Sequence, residues 1–453
     1  MGDFLYTFVS SAYFVERSWG YGTPRQGMEL LGELAHGRRI PVTWLVSPRS
    51  ARETAEPLTG WHQEFGDEVG VYLGAPPEAR TGQAEREYFV SLDYEGMREK
   101  IEREARGVVE ALPWARVTVA GGGYRSNTMV AALEDLGFDG LWGHCWEQAY
   151  VDNITDRGAP WGFYYASREA FKAPACYPGK VVACEWTARD LNKAFHTGKP
   201  EVYSTDPNDA DNNRLCTATD ISYWRAFLDQ YRRNAAWNDF IPFLQHQEAH
   251  EMETGIVHNG FTQETVDRTA AMLERLFAYV ASLPDVQAVS LPRAVAEFKR
   301  RFLRQPATYM LFEDIPVAAD PRGPWPEVLV YCDDRCQLFF DRDQPLPIAA
   351  RNYLAAADTE AIEFAAEESL PEVEIERSSS AGTETINVCA RAERPIRYGL
   401  ALWGDYRQAA ASAEARQKPD ANVALKEIGG QVLLATFDLP AGPTNLSLRL
   451  PPP

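Results

Sequence analysis

The sequence predicts an α/β protein, a β/α barrel of the (β/α)7 type over residues 1–305 followed by an all-β sandwich over 306–453. Two observations carry this. Apolar runs of strand length alternate with amphipathic segments of helix length from the start of the chain to Leu303, the pattern of parallel strands joined by crossover helices. Beyond that point the runs become short and alternating, and Pro, Gly and Asp punctuate them, as in antiparallel sheets. Seven or eight βα units in about 300 residues close into a barrel more readily than they lie open.

In order, the candidate strands are Phe4 to Val9, Ile40 to Val46, Glu68 to Leu73, Ala115 to Ala120, Phe138 to Trp142, Val181 to Cys184, Phe240 to Leu244 and Val286 to Leu291. Helical spacing fills the gaps. Pro24 to Arg39 puts Met28, Leu31 and Leu34 on one face; Asp93 to Leu112 does so with Met97, Ile101 and Val108; Asp220 to Trp237 with Trp224, Phe227 and Tyr231. The long connection from His144 to Lys180, rich in Gly, Pro and aromatics, falls on the face where barrel loops build sites. In the last third, PEVLVYC, CQLFFD, TINVCARA, RYGLALW, QVLLATFDL and TNLSLRL read as sandwich strands.

Composition removes several function classes. With 45 Lys and Arg against 65 Asp and Glu, the formal charge of -20 repels nucleic acid and anionic membrane. No apolar run is long enough for a membrane span. The opening MGDFLYTFVSSAYF has Asp3 where a secretory leader has Lys or Arg, so it reads as the first strand of a cytoplasmic protein. The seven cysteines show neither zinc-ribbon spacing nor a disulfide framework. Twelve Trp, many beside strand ends, offer flat faces suited to sugar rings, although core burial is the commoner fate of an indole.

The chemistry concentrates in FIPFLQHQEAHE, Phe240 to Glu251, where an apolar run breaks into two histidines and two glutamates. Strand tips of this kind carry the reaction in β/α barrels. His246 and His250, four residues apart, share one face if the segment is helical, and could hold zinc or another divalent metal with His144, Glu185 or Glu248 as a third ligand. Glu248 or Glu251 is then a candidate proton carrier. A metal-free reading pairs Glu185 with Glu248 as nucleophile and acid of a glycoside hydrolase. Trp44, Tyr72, Trp146 and Trp186 are candidate sugar-stacking residues, and Asp190 and Asn192 either bind sugar hydroxyls or cap the next segment. GGGYRS lacks the Gly-Lys-Ser of a phosphate loop, leaving Arg125 as a residue able to fix a carboxylate.

Taken together, these segments resemble the polysaccharide deacetylase family, whose fold is a distorted seven-stranded β/α barrel. IPVTWLVSP resembles its second strand, GDEVGVYLG its Glu-Ile-Gly-x-His strand, and GYRSNTMVAALEDLGFDGLW its Arg-Pro-Pro-Tyr-Gly segment with the helix and strand that follow. FLQH resembles the Leu-His segment and VQAVSLPRAVAEF the closing strand and helix, so the likeness runs over roughly residues 1–303. It implies a glycan deacetylase-like hydrolase acting on a glycan or oligosaccharide, with Arg125 orienting a carboxylate and His246 as general acid. Val9 and Ser10 stand where the family has its Asp pair, and Tyr72 where it has its first metal-binding His. A metal site here is therefore rebuilt, from His246, His250 and His144, or lost. Glycosidic cleavage and non-catalytic glycan binding are the alternatives.

Overall fold

A computed structural model describes residues 2–79, 82–123, 125–144, 161–169, 171, 173–197, 202–317, 323–334, 337–342, 371–380, 382–406, 414–416 and 422–450. Its first part is one nine-stranded sheet: β1 (Asp3–Ser11), β2 (Val42–Val46), β3 (Glu68–Tyr72), β4 (Val119–Gly121), β5 (Gly140–His144), β6 (Phe163–Tyr165), β7 (Val182–Glu185), β8 (Phe240–His246) and β9 (Val286–Ala288). The order is β8-β1-β2-β3-β4-β5-β7-β6, with β9 also paired to β1. Every pair is parallel except β6 with β7. All eight expected strands are present; β6 is an addition that periodicity did not reveal.

The sheet curls into a nearly closed barrel. Ala188, just past β7, donates its N–H to the Leu244 carbonyl of β8, and the Phe163 and Phe240 rings meet at 5.7 Å across the remaining gap. Alternation along each strand sorts the side chains. Leu5, Val9, Leu45, Val119, Trp142, Val182, Cys184 and Leu244 share the interior cluster, whereas Phe4, Tyr6, Phe8, Trp44, Val71, Ala183 and Phe243 face the helices.

Helices fill the gaps between strands, α1 (Arg25–His36), α2 (Tyr94–Ala111), α3 (Asn127–Asp135), α4 (Ser222–Asn234), α5 (Gln263–Ser282) and α6 (Leu291–Arg301), with α1, α2 and α4 on the expected apolar spacing. Ser126, Thr262 and Ser290 cap α3, α5 and α6, each accepting a backbone N–H three residues on. None of the helices is long and apolar enough to cross a membrane, among the described residues.

The C-terminal region forms three antiparallel sheets. Thr308–Phe312, Val328–Cys332 and Gln337–Asp341 make the first; Glu372–Ser380, Thr383–Ala392, Gly442–Leu450 and Glu414–Arg416 the second; Ile396–Trp403, Val432–Leu439 and Ala424–Ile428 the third. Ile386, Val388, Leu446 and Leu448 of the second sheet share one core with Tyr398, Leu400, Leu434 and Phe437 of the third, the expected sandwich.

Candidate active site

β8 ends at His246, and the chain then turns through a short 3-10 segment, Ala249–Met252, that sets His250 over the barrel mouth. Three contacts fix this turn. The backbone N–H groups of Gln26 and Gly27, at the start of α1, donate to the Glu253 carboxylate at 2.9 and 3.2 Å. Gly27 is so close to the turn that a Cβ would lie 1.9 Å from the Ala249 carbonyl oxygen. A small hairpin after β1, Val15–Arg17 with Gly20–Gly22, is stitched to the chain beyond the turn by Tyr21 N–H to Ile256 and His258 N–H to Trp19. Gly22, paired with Val15, has φ +128, a conformation that residues with a side chain rarely adopt.

The hairpin carries Arg17 and Trp19 to the site, and β1 delivers Ser11 and then Tyr13. His250 is buried and edged by Tyr13 and Trp19, with ring centroids at 5.5 and 5.4 Å. Its Nε2 lies 2.5 Å from Glu248 Oε2, and its buried Nδ1 has no hydrogen-bond partner. Burial pushes the Glu248 carboxyl up, but the charge and hydrogen bond of His250, aided by His246 and Arg17, outweigh it and hold the group well below the usual carboxylate range. Glu251 Oε2 accepts from the amides of Asn208 at 2.6 Å and Gln247 at 2.8 Å. Tyr13 stacks on Tyr72 at 3.9 Å. Burial raises both phenols well above the ordinary tyrosine value, so they stay protonated donors.

His246 lies deeper. Trp186 donates its indole N–H to Nδ1 at 2.7 Å, so the neutral ring carries its proton on Nε2, 3.1 Å from Ser11 Oγ. Burial lowers its pKa to about 4, His250 pulling the same way and Glu248 opposing. Burial thus favours the neutral ring, and both nitrogens of the expected general acid are engaged, Nδ1 by Trp186 and Nε2 by Ser11. The same tautomer leaves no base for Ser11 as a nucleophile. Trp142 tilts over His246 at 4.8 Å, and Arg125 Nη2 donates to the Trp142 carbonyl at 3.0 Å. The described bond of Arg125 thus holds a backbone carbonyl, where a carboxylate was expected.

Several expected site residues are buried and engaged by neighbouring elements. Trp44 faces the helices, fully buried, with its N–H on Asp67 at 2.7 Å and its ring on Trp61. Asp190 caps the segment after it through the Lys193 N–H and accepts from Tyr223, both at 3.0 Å. Asn192 is fully buried and bonds the carbonyls of Phe312 and Pro326. Glu185 is one residue past Cys184, hence on the opposite face; its electrostatic neighbours are Arg189, Tyr231 and Cys184, with Glu248 not among them. The His144 side chain and Trp146 lie outside the described residues, while Trp186 and Tyr72, both half-buried, do stand at the mouth.

One group among the described residues has metal-ligand spacing: Glu248, His250 and Glu251, whose donor atoms lie within 4.8 Å of one another. It differs from the expected His246, His250 and His144. One imidazole and two carboxylates, with a buried imidazole nitrogen lacking a partner, suit zinc or a similar divalent ion. Ser11, Tyr13 and Arg17 complete the site and were not anticipated. The signal for Ser11 and Tyr13 was the polar tail SSAY continuing the alternation of β1.

The architecture is that of a deacetylase-like barrel with added β-sheets. Among solved structures, a protein of Parabacteroides distasonis described under the heading glycoside hydrolase/deacetylase superposes with a TM-score of 0.56 at 14% identity, over 77% of this chain and 83% of that one. A chain from Mycobacterium smegmatis described under polysaccharide deacetylase matches at 0.41 and 14% identity, over 66% and 91%. The family 4 carbohydrate esterase of Streptomyces lividans matches at 0.31 and 9%, over 64% and 94%. The first of these carries the fold. No family model matches the chain, and no curated protein does.

Proposed function

We propose that the chain is a glycan deacetylase-like hydrolase whose reacting centre is the Glu248–His250 pair. The observation that supports it is the pair itself: a carboxylate fixes one nitrogen of a buried imidazole and leaves the other without a partner, at a barrel mouth walled by aromatic rings. In this reading a water beside His250 Nδ1 attacks the carbonyl carbon of an acetamide or ester. His250 takes the water's proton, and Glu248 stabilises the imidazolium. Tyr13 and Tyr72, kept protonated by burial, donate to the developing oxyanion. Collapse expels the amine or alcohol, which recovers the proton from His250 as acetate departs. Trp19 and Trp186 give the sugar flat apolar faces. Zinc or another divalent ion, if held by Glu248, His250 and Glu251, would take the lone pair that His250 otherwise offers as a base, and would supply Lewis-acid polarisation and a more acidic water in its place.

Acetate release from partly acetylated oligosaccharides is the direct test. Wild-type protein is expected to release acetate without new reducing ends, and Glu248→Gln to lower the rate by about 10²–10⁴-fold, as for loss of a group that orients a catalytic imidazole. Saccharide binding with no acetate released by the metal-supplemented wild type overturns the hydrolase reading in favour of a glycan-binding protein. New reducing ends overturn it in favour of a glycosidase.

A further inference from the structure

Beside Tyr13 and Tyr72, and continuous with the site, lies a cleft of about 350 Å³ whose walls run against the charge of the molecule. Acidic residues outnumber basic ones 65 to 45 in the chain, yet five cationic and only two acidic side chains line this cleft. Arg17 comes from the hairpin, Arg49 and Arg52 from the helix Pro48–Glu53, and Lys100 and Arg103 from α2. Separate elements thus converge on one small space.

Four of the five are braced. Arg17 forms a double hydrogen bond with Glu85 at 2.7 and 3.0 Å, and Arg49 bonds Glu53 at 2.9 Å with its guanidinium 3.5 Å over Phe14. Arg103 meets Glu104 at 3.2 Å. Lys100 is 3% exposed, donates to the Gly74 carbonyl at 2.5 Å, and lies over the Tyr88 and Phe89 rings. The bracing carboxylates of Glu85 and Glu53 do not line the cleft, whereas Glu104, which also lies 3.6 Å from the Lys100 ammonium, does, so cationic side chains still outnumber acidic ones five to two on its surface. A buried ammonium disfavours its own charged form, and burial lowers the Lys100 pKa; an anion in the cleft would offset that cost.

We propose that this cleft selects an acidic saccharide, binding the carboxylate of a uronic acid residue with its cations while Tyr13, Tyr72 and Tyr88 face the sugar rings. The inference rests on the reading above that the chain acts on a glycan, and it names the glycan's class. Arginine's planar fork suits a carboxylate, and the cavity volume falls in the range of small-ligand pockets. A polyanion such as nucleic acid is disfavoured by the overall charge of -20.

Titration calorimetry on the full-length Glu248→Gln variant tests it without turnover, using a galacturonate tetrasaccharide, the matched neutral galactose tetrasaccharide and a sulfated one. The galacturonate form is expected to bind roughly tenfold or more tightly than the neutral one, weakening as salt rises, the scale of a few screened ion pairs. Arg52→Gln with Arg103→Gln, two exposed changes on helices, should remove most of that discrimination while neutral binding persists. Equal affinity for acidic and neutral forms, or discrimination surviving the double variant, overturns the proposal. Preference for the sulfated form overturns the carboxylate assignment. Selective binding of galacturonate by a protein that releases no acetate from any glycan overturns the hydrolase reading and leaves this one standing.

Discussion

Glu185 shows how one residue of register decides a role. Its neighbour Cys184 lines the barrel interior, so the Glu185 carboxyl turns outward into the helix layer, completely buried. Neither oxygen has a hydrogen-bond partner of good geometry. Burial raises its pKa to about 7, with the Gly162 N–H and the Arg189 charge offsetting this in part. The folded state therefore holds a proton that the unfolded chain has released, and stability falls as pH climbs from the ordinary carboxyl value of 4.5 through about 7. Asp190, raised to about 6 by burial, pulls the same way over a lower window. His246 works oppositely: lowered to about 4 from 6.5, it costs stability as pH falls through that window. Glu185→Gln, isosteric and neutral, should gain roughly 2–3 kcal/mol near pH 8 and almost nothing near pH 4, given about 1.4 kcal/mol per pKa unit. Urea unfolding at the two pH values reads this out, and equal gains at both would refute the buried-acid account. The sequence could single out His246, Glu248, His250 and Glu251 because they end an apolar run. It could not show which way Glu185 faces, because β7 is short and the β5–β7 register shifts between Trp142 and His144.

Among elements, α4 uses polar side chains in an unusual way. The Gln230 amide donates to the Glu313 carbonyl and accepts its N–H; Asn234 does the same for Leu311, and Asn238, just past the helix, for Tyr309. Spaced four residues apart, three amides substitute for a neighbouring strand along the edge Thr308–Phe312. Every group on that edge facing α4 is thereby satisfied without a further strand. Asn234→Leu keeps the branched shape, with somewhat greater volume, but removes both bonds and leaves the Leu311 N–H and C=O buried without partners. The expected loss is about 2–4 kcal/mol, the desolvation cost of two orphaned groups. Chemical denaturation measures it, and a loss below about 0.5 kcal/mol, typical of surface changes, would show the comb to be incidental. The helix itself was legible from Trp224, Phe227 and Tyr231. The comb was not, since polar residues at helical spacing ordinarily face water.

At the scale of the whole molecule, the eight expected parallel strands were readable because parallel strands bury both faces and so write long apolar runs into the chain. The hairpin that completes the site was not, since its three-residue strands fall below any period. The expected division at residue 305 meets a sheet that looks both ways. Met310, Phe312, Val328 and Val330 pack in the barrel's outer core, while Leu311, Leu329 and Tyr331 pack with the sandwich. Asn192 and Lys193 reinforce the join through the carbonyls of Phe312 and Pro326 and the carboxylate of Asp314. A fragment of residues 1–305 would therefore lose one wall of its core, uncovering Tyr231 and Trp237 and leaving the α4 amides and Lys193 unpaired. Removing apolar cover at about 25 cal/mol per Å², on top of unpaired buried groups, is large beside a typical net stability of about 5–15 kcal/mol. The fragment is expected to aggregate or to bind a hydrophobic dye, and the full chain to unfold with this join breaking in the main transition. A soluble, monomeric fragment with the melting temperature of the barrel in the intact protein would show instead that the barrel folds without the sheet, and that the shared wall contributes little.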